Sequence, residues 1–302
     1  MKKDLLSLYD LDPADFAVIF EKAARLKKKQ KAGEVHQPLK GKTLGMIFDK
    51  SSTRTRLSFE VGMFQLGGLA IFLSSRDTQI ARGENIRDTA RIMSRYLNGV
   101  MIRTYAQESV EEFAHHAEMP VINGLTDLLH PCQILSDLFT ILEKKGTYEG
   151  LKMAYIGDGN NVANSWLNAA ARLPIRLALA CPEGYDPDAF IFERAVKSSR
   201  EGVTLHRNPA DAAAGADVIY TDVWASMGQE AEHAKRAEAF KSYQVNAELL
   251  ACAGKDAMIM HCLPAHRGEE ITSDVLDGPQ SVVVEQAENR LHVQKAILEI
   301  LM

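Results

Sequence analysis

The chain is poor in cysteine. Its 302 residues include only Cys132, Cys181, Cys252 and Cys262, far apart and without a CxxC pair. That spacing excludes a disulfide scaffold and reads as reduced thiols of a cytoplasmic protein. The adjacent His115 and His116 do not have i,i+4 spacing, and no HExxH occurs, so no metal site is expected. No apolar run approaches the ~20 residues needed to span a bilayer. Acidic residues interrupt the short apolar stretch of MKKDLLSLYDL, so it is not read as a signal peptide. Positive charge is in deficit: 35 Lys+Arg against 40 Asp+Glu gives a net charge of −5. Wrapping nucleic acid by bulk charge is thereby disfavoured, although a local cationic pocket for a small anion is not. The phosphate-loop pattern GxxxxGKS/T is absent. GDGNNV (157–162) lacks the third glycine of GxGxxG, which argues against a dinucleotide cofactor. There is no short-period repeat and no low-complexity segment.

What remains is an ordinary globular composition, 46% hydrophobic and 25% charged, with length for roughly two domains of about 100–200 residues. Asp12, Pro13 and Asp15 signal a helix start, and Phe16, Ile19, Phe20 and Ala23 form its apolar stripe. TLGMIF (43–48), AIFL (70–73) and VMIRT (100–104) read as strands, with helices over 56–68, around Ile86 to Leu97 and after His130. A second series follows: MAYIG (153–157), LALAC (177–181), VTLH (203–206), DVIYT (217–221), MIMH (258–261) and VVVE (282–285). Short apolar runs alternating with helices predict parallel sheets covered on both faces. The KKGTYEG turn marks a boundary near 145–150, and residues 289–302 are expected to be helical.

Five segments carry chemistry. DKSSTRTR (49–56), between a strand and a helix, offers four hydroxyls and two guanidiniums beside a helix N-terminus, a donor set suited to phosphate. HPCQ (130–133) opens a helix, and its His and Gln suit a carbonyl oxygen and an amide N–H. Arg103 ends a strand, where sites of parallel sheets open. Asn160 and Asn161 leave another strand and suit a carboxylate or an amine. In DVWASMGQE (222–230), Asp222 suits an ammonium group, and Ser226, Met227 and Gly228 read as a covering loop. In HCLPAHRGEEI (261–271), strand neighbours His261 and Cys262 face opposite ways, which argues against a Cys–His nucleophile.

In this order, STRTR, the strand-end Arg103, HPCQ, DGNN, D-x-W-x-SMG and HCLPAHRGEE resemble the transcarbamylase family, and its ornithine-using members most, over about residues 50–290. The resemblance implies an α/β fold of two doubly wound parallel-sheet domains with the active site in the interdomain cleft. A carbamoyl-phosphate-binding domain is expected over residues 1–147, with a helix at about 287–302 packing back onto it, and an ornithine-binding domain over 148–286. It further implies a homotrimer or a higher assembly of trimers, and neither cofactor nor metal. Carried onto this chain, Ser52, Thr53, Arg54 and Thr55 hold phosphate, joined by Arg290 and by Gln79 from a neighbouring subunit. Arg103, His130 and Gln133 hold the carbamoyl group, with Thr55 at its oxygen. Asn161, Asp222, Ser226 and Met227 bind ornithine, and Cys262 and Leu263 lie by the reacting amine. Arg54, Arg103, His130, Asp222 and Cys262 form the catalytic set. HCLP in place of HPLPR, Gln79 without a nearby lysine, and an Asp222 that would repel a carboxylate-bearing amine all argue against aspartate. A carbamoyltransferase for another amine such as putrescine is the alternative, which the SMG segment disfavours.

Overall fold

Asp15 returns its carboxylate to the Asp12 N–H at 3.1 Å and so starts helix α1 (Pro13–Lys31), whose Phe16, Ile19, Phe20 and Ala23 are buried as their spacing predicts. The computed structural model describes residues 2–74, 83–225 and 232–302. Two units divide the chain, Met1–Phe139 with Glu288–Met302, and Thr140–Ala287.

In the first unit, β1 (Thr43–Phe48), α2 (Thr53–Gln65), β2 (Leu69–Ser74), α3 (Ile86–Tyr96), β3 (Gly99–Arg103), α4 (Gln107–His116) and β4 (Val121–Leu125) alternate. The helix α5 (Pro131–Lys145) follows. The four strands are parallel in the order β2-β1-β3-β4. The second unit carries β5 (Lys152–Ile156), α6 (Asn161–Ala170), β6 (Arg176–Ala180), α7 (Ala189–Ser198), β7 (Val203–His206), α8 (Pro209–Ala213) and β8 (Val218–Thr221). It continues through α9 (His233–Phe240), α10 (Ala247–Ala251), β9 (Met258–His261) and α11 (Ser273–Leu276), and α12 (Val283–Leu301) ends the fold. Its five strands are parallel in the order β7-β6-β5-β8-β9. Both sheets are wound with helices on both faces, the doubly wound α/β class the sequence predicts.

Each strand order reverses once, between β1 and β3 in the first sheet and between β5 and β8 in the second. Ligands of open parallel sheets bind outside the carboxyl ends of strands at such reversals. The segments leaving those strands are Asp49–Arg56, the residues after Arg103, Gly157–Asn161 and Asp222 onward.

Three local expectations are revised. Helix α2 begins at Thr53, not at residue 56, because Ser52 caps it through a hydrogen bond from Thr55 N to Ser52 Oγ, 3.2 Å. VVVE (282–285) is not a strand: α12 starts at Val283, and Val284 is exposed. The valines have strand propensity, but only Ser281 bridges to Ile259, so the sheet stops at β9 and helical packing prevails. Strand β4 (VINGL) escapes the apolar pattern because Asn123 and Gly124 interrupt it. Asn123 is fully buried and spends its amide on Leu6 O at 3.0 Å and Gln107 Oε1 at 3.1 Å.

Candidate active site

The first unit gathers its donors around the N-terminus of α2. Ser52 Oγ donates to Thr55 Oγ1 at 3.0 Å, and Arg290 Nη2 on α12 donates to the same oxygen at 2.8 Å. Thr55 is fully buried and Arg290 nearly so. Thr53 is the first helical residue, and Arg54 on the next position is half-buried, its guanidinium without hydrogen bond or ion pair among the described residues. The N-terminal turn of α2, the Ser52 and Thr55 hydroxyls and the Arg290 guanidinium of α12 thus share one neighbourhood, with Arg54 on the same turn, a donor set that suits an anion. A pocket of about 600 Å³ flanks it, lined among others by Asp49, Ser51, Ser52, Thr53, Arg56 and Phe72.

Arg103, at the end of β3, is buried and donates from Nε to Lys50 O at 3.2 Å, which fixes its fork. His130 and Gln133 sit one turn apart at the start of α5, both buried. Burial pushes the His130 pKa well below 6.5, and the positive charges of Arg290 and Arg103 push it down further. The ring is therefore a neutral hydrogen-bonding group at pH 7. Gln133 Nε2 donates to Asp137 Oδ1 at 2.9 Å, which turns its Oε1 into a buried acceptor with no partner among the described residues. Two buried cations, a neutral imidazole and an open amide acceptor suit a polar planar group such as a carbamoyl, whose oxygen takes donors and whose NH₂ needs an acceptor.

In the second unit Asp222, just past β8, is buried, and the Cys262 thiol just past β9 donates to its Oδ1 at 2.8 Å. Asn160 Nδ2 donates to Asp222 Oδ2 at 2.8 Å, while Asn161 opens α6 beside it. Leu263 follows with φ 57°, a left-handed conformation, and its N–H donates to His261 Nδ1 at 2.8 Å. His261 Nε2 then faces the buried Glu270 Oε1 at 3.0 Å. The imidazole is thus committed to the turn and to Glu270, and the thiol to Asp222; β9 ends at His261, so it is these separate partners and not strand alternation that keep the two groups apart in their bonding. Nearby, Arg236 pairs with Asp158 at 2.9 Å and donates to Trp224 O at 2.8 Å. Burial nonetheless raises the Asp158 pKa to about 6. Arg267 is engaged by Asp277 at 2.5 and 2.8 Å on the surface, outside this cluster. Gln79, Ser226 and Met227 lie outside the described residues.

A family model for the carbamoyl-P binding domain of aspartate/ornithine carbamoyltransferase matches residues 3–143, and one for its Asp/Orn binding domain matches residues 149–301. The chain belongs to the aspartate/ornithine carbamoyltransferase family. The ornithine carbamoyltransferase of Syntrophus aciditrophicus is 71% identical over 100% of both chains. That of Geobacter metallireducens is 56% identical, covering 99% of this chain and 98% of its own. Among solved structures, ornithine carbamoyltransferase from Pyrococcus furiosus superposes with a TM-score of 0.96 at 53% identity, covering 99% of this chain and 96% of that one. The anabolic enzyme from Campylobacter jejuni gives a TM-score of 0.92 at 40% identity, covering 100% and 99%.

Within this carbamoyltransferase, sequence reasoning missed Lys50 and Arg236. Lys50 is buried, paired with Asp127, and its Nζ lies 4.4 Å from the centre of the Tyr105 ring. No motif marks a lysine whose backbone carbonyl orients an arginine. Folding also brings Asp222, His261 and Cys262 together, and His266, Glu269 and Glu270, each set with ligand atoms within 4.8 Å of one another. In the first set both His261 nitrogens are already committed, so the imidazole has no lone pair left to offer a metal.

Proposed function

We propose that this chain transfers the carbamoyl group of carbamoyl phosphate to the δ-amine of L-ornithine, giving L-citrulline and phosphate. The observation that carries the reading is the buried Asp222 carboxylate, paired with the Cys262 thiol, at the strand reversal of the second sheet. A buried carboxylate suits a cationic amine and repels the side-chain carboxylate of aspartate. The relatives named ornithine carbamoyltransferase at 71% and 56% identity support the same substrate.

In this reading Ser52, Thr53, Arg54, Thr55 and Arg290 hold the phosphate. Arg103, His130 and Thr55 meet the carbamoyl oxygen, and Gln133 Oε1 accepts from its NH₂. The amine attacks the carbonyl carbon, negative charge gathers on the oxygen, and the bond to phosphate breaks. Preorganised donors at that oxygen are worth more than mobile water. A lysine-like amine has a pKa of about 10.4, so shedding its proton at pH near 7.5 costs roughly 4 kcal/mol. Asp222 and Cys262 orient the amine for that loss. Asn161, Ser226, Met227 and Leu263 complete the ornithine site, and Gln79 comes from a neighbouring subunit.

The same reading makes the protein a cytoplasmic homotrimer or an assembly of trimers. Among the described residues no helix is long and apolar enough to cross a membrane. Leu57, Val61 and Phe64 are exposed along one side of α2, and Leu69 and Ile71 are exposed on the edge strand β2, apolar surface that a second copy would cover. The deciding experiment is a citrulline assay with carbamoyl phosphate and ornithine, with putrescine and aspartate in parallel. Product from ornithine alone is expected. Turnover of putrescine without ornithine turnover overturns the amine assignment and leaves the phosphate assignment standing.

A further inference from the structure

We propose that Asn160 is a positioning residue for the amine subsite, a bracket that aims the Asp222 carboxylate. Its two amide atoms face different chemistry. Oδ1 accepts from Val162 N at 2.9 Å, from Ala163 N at 3.3 Å and from the Tyr155 hydroxyl at 3.1 Å. Three donors around one atom assign it as the oxygen, so the NH₂ must point the other way. It points to Asp222 Oδ2, 2.8 Å away. Tyr155 is fully buried, which holds its phenol protonated and keeps it a donor.

Asp222 is therefore gripped at both oxygens. Oδ2 takes the Asn160 amide, and Oδ1 takes the Cys262 thiol at 2.8 Å and its neighbour Val223 N at 2.8 Å. A carboxylate free to rotate about χ2 would present the amine with a smeared target. Held at both ends, it presents a fixed lone pair, the geometric condition for attack along one line. Asparagine is the residue that meets both requirements. It caps α6 with its oxygen and donates with its nitrogen, and it adds no charge where Asp158 and Asp222 already lie close together. Aspartate would cap equally well but would repel Asp222. Serine would cap but would not reach it.

The proposal rests on the reading that Asp222 receives the δ-amine, and the test separates the two. Full-length Asn160→Ser, Asn160→Asp, Asp222→Asn and the double variant Asn160→Ser/Asp222→Asn are compared in steady-state kinetics and thermal melts. Because serine is an equal N-cap, Asn160→Ser should keep its melting temperature within about 3 °C. Its KM for ornithine should rise roughly 10-fold, the worth of a hydrogen bond to a charged group, with KM for carbamoyl phosphate unchanged. Asn160→Asp should lose more. The double variant should be no worse than Asp222→Asn alone, because both act through one carboxylate. An Asn160→Ser enzyme with wild-type ornithine kinetics overturns the bracket, as does a parallel rise of both KM values with a fallen melting temperature. An Asp222→Asn enzyme with unchanged ornithine KM overturns the amine-site reading itself, and the bracket with it.

Discussion

Arg54 and Arg103 carry the same charge into different surroundings. Arg103 is buried and tied to Lys50 O, whereas Arg54 is half-buried with a guanidinium that bonds nothing among the described residues. Removing Arg54 should therefore cost turnover and little stability. Arg54→Ala is expected to lower kcat on the order of 100-fold or more, the scale of one preorganised donor lost, while its urea midpoint stays near wild type. Wild-type turnover in that variant would sink the phosphate-site assignment. His130 gives a second check. With its pKa held well below 6.5 by burial and by Arg290 and Arg103, its imidazole resonances should not titrate as the pH falls from 8 to 6. A titration midpoint near 6.5 in NMR would contradict the buried, neutral ring. At this scale Ser52, Arg54, His130 and Asp222 were legible because each sits in a short motif. The contact of Arg290 with Thr55 spans 235 positions and leaves no local trace. Lys50 was illegible for another reason: its backbone, not its side chain, holds Arg103.

Elements were legible where one interaction dominated. The central strands β1, β3 and β5 read as largely apolar runs, because both of their faces are covered. The start of α2 did not, because Ser52 and Thr55 look like loop residues until their mutual hydrogen bonds are seen. Ser52→Ala should cost about 1 kcal/mol of stability through the lost cap, measurable in urea, besides weakening carbamoyl phosphate binding. Helix α12 supplies a pH-dependent counterpart. Glu299 meets Lys22 at 2.8 Å, Arg25 at 3.2 Å and His36 at 3.0 Å, joining α12 to α1. Burial alone would raise its pKa, but hydrogen bonds from Lys22 and His36 outweigh that and the net shift from 4.5 is downward. The unfolded chain then binds the proton first as the pH falls, so this stabilisation is present above about pH 4.5 and fades below it. Glu299→Gln should lower the melting temperature at pH 7, and the gap to wild type should close as the pH drops through that range. An equal gap at both pH values would show that charge is not the cause.

At the scale of the whole molecule, the apolar surface of α2 and β2 predicts self-association. Light scattering should give about 100 kDa, three times the 33.4 kDa chain, or a multiple of that. Leu69→Lys, which puts a charge on the exposed edge strand, should shift the mass toward the monomer. Activity should fall with it, since Gln79 is read as a neighbour's contribution. A fully active monomer would remove the need for a shared site. The composition could report none of this, because scattered exposed apolar residues are normal and only the fold sets Leu57, Val61 and Phe64 along one side of α2 beside an exposed edge strand.

The first unit is assembled from both ends of the chain, with Glu288–Met302 joining Met1–Phe139. A ribosome releases those parts at different times. Between Phe139 and Glu288 lie 148 residues, roughly 7–30 s of synthesis at about 5–20 residues per second. For that interval α1 lacks its partner helix, and Thr55 lacks the Arg290 donor. The nascent chain can complete the second unit before the first. The cluster of Ser52, Thr55 and Arg290 is therefore complete only once α12 has been made, and a chain halted at Ala287 would hold every residue of the second unit while the first still lacked its closing helix.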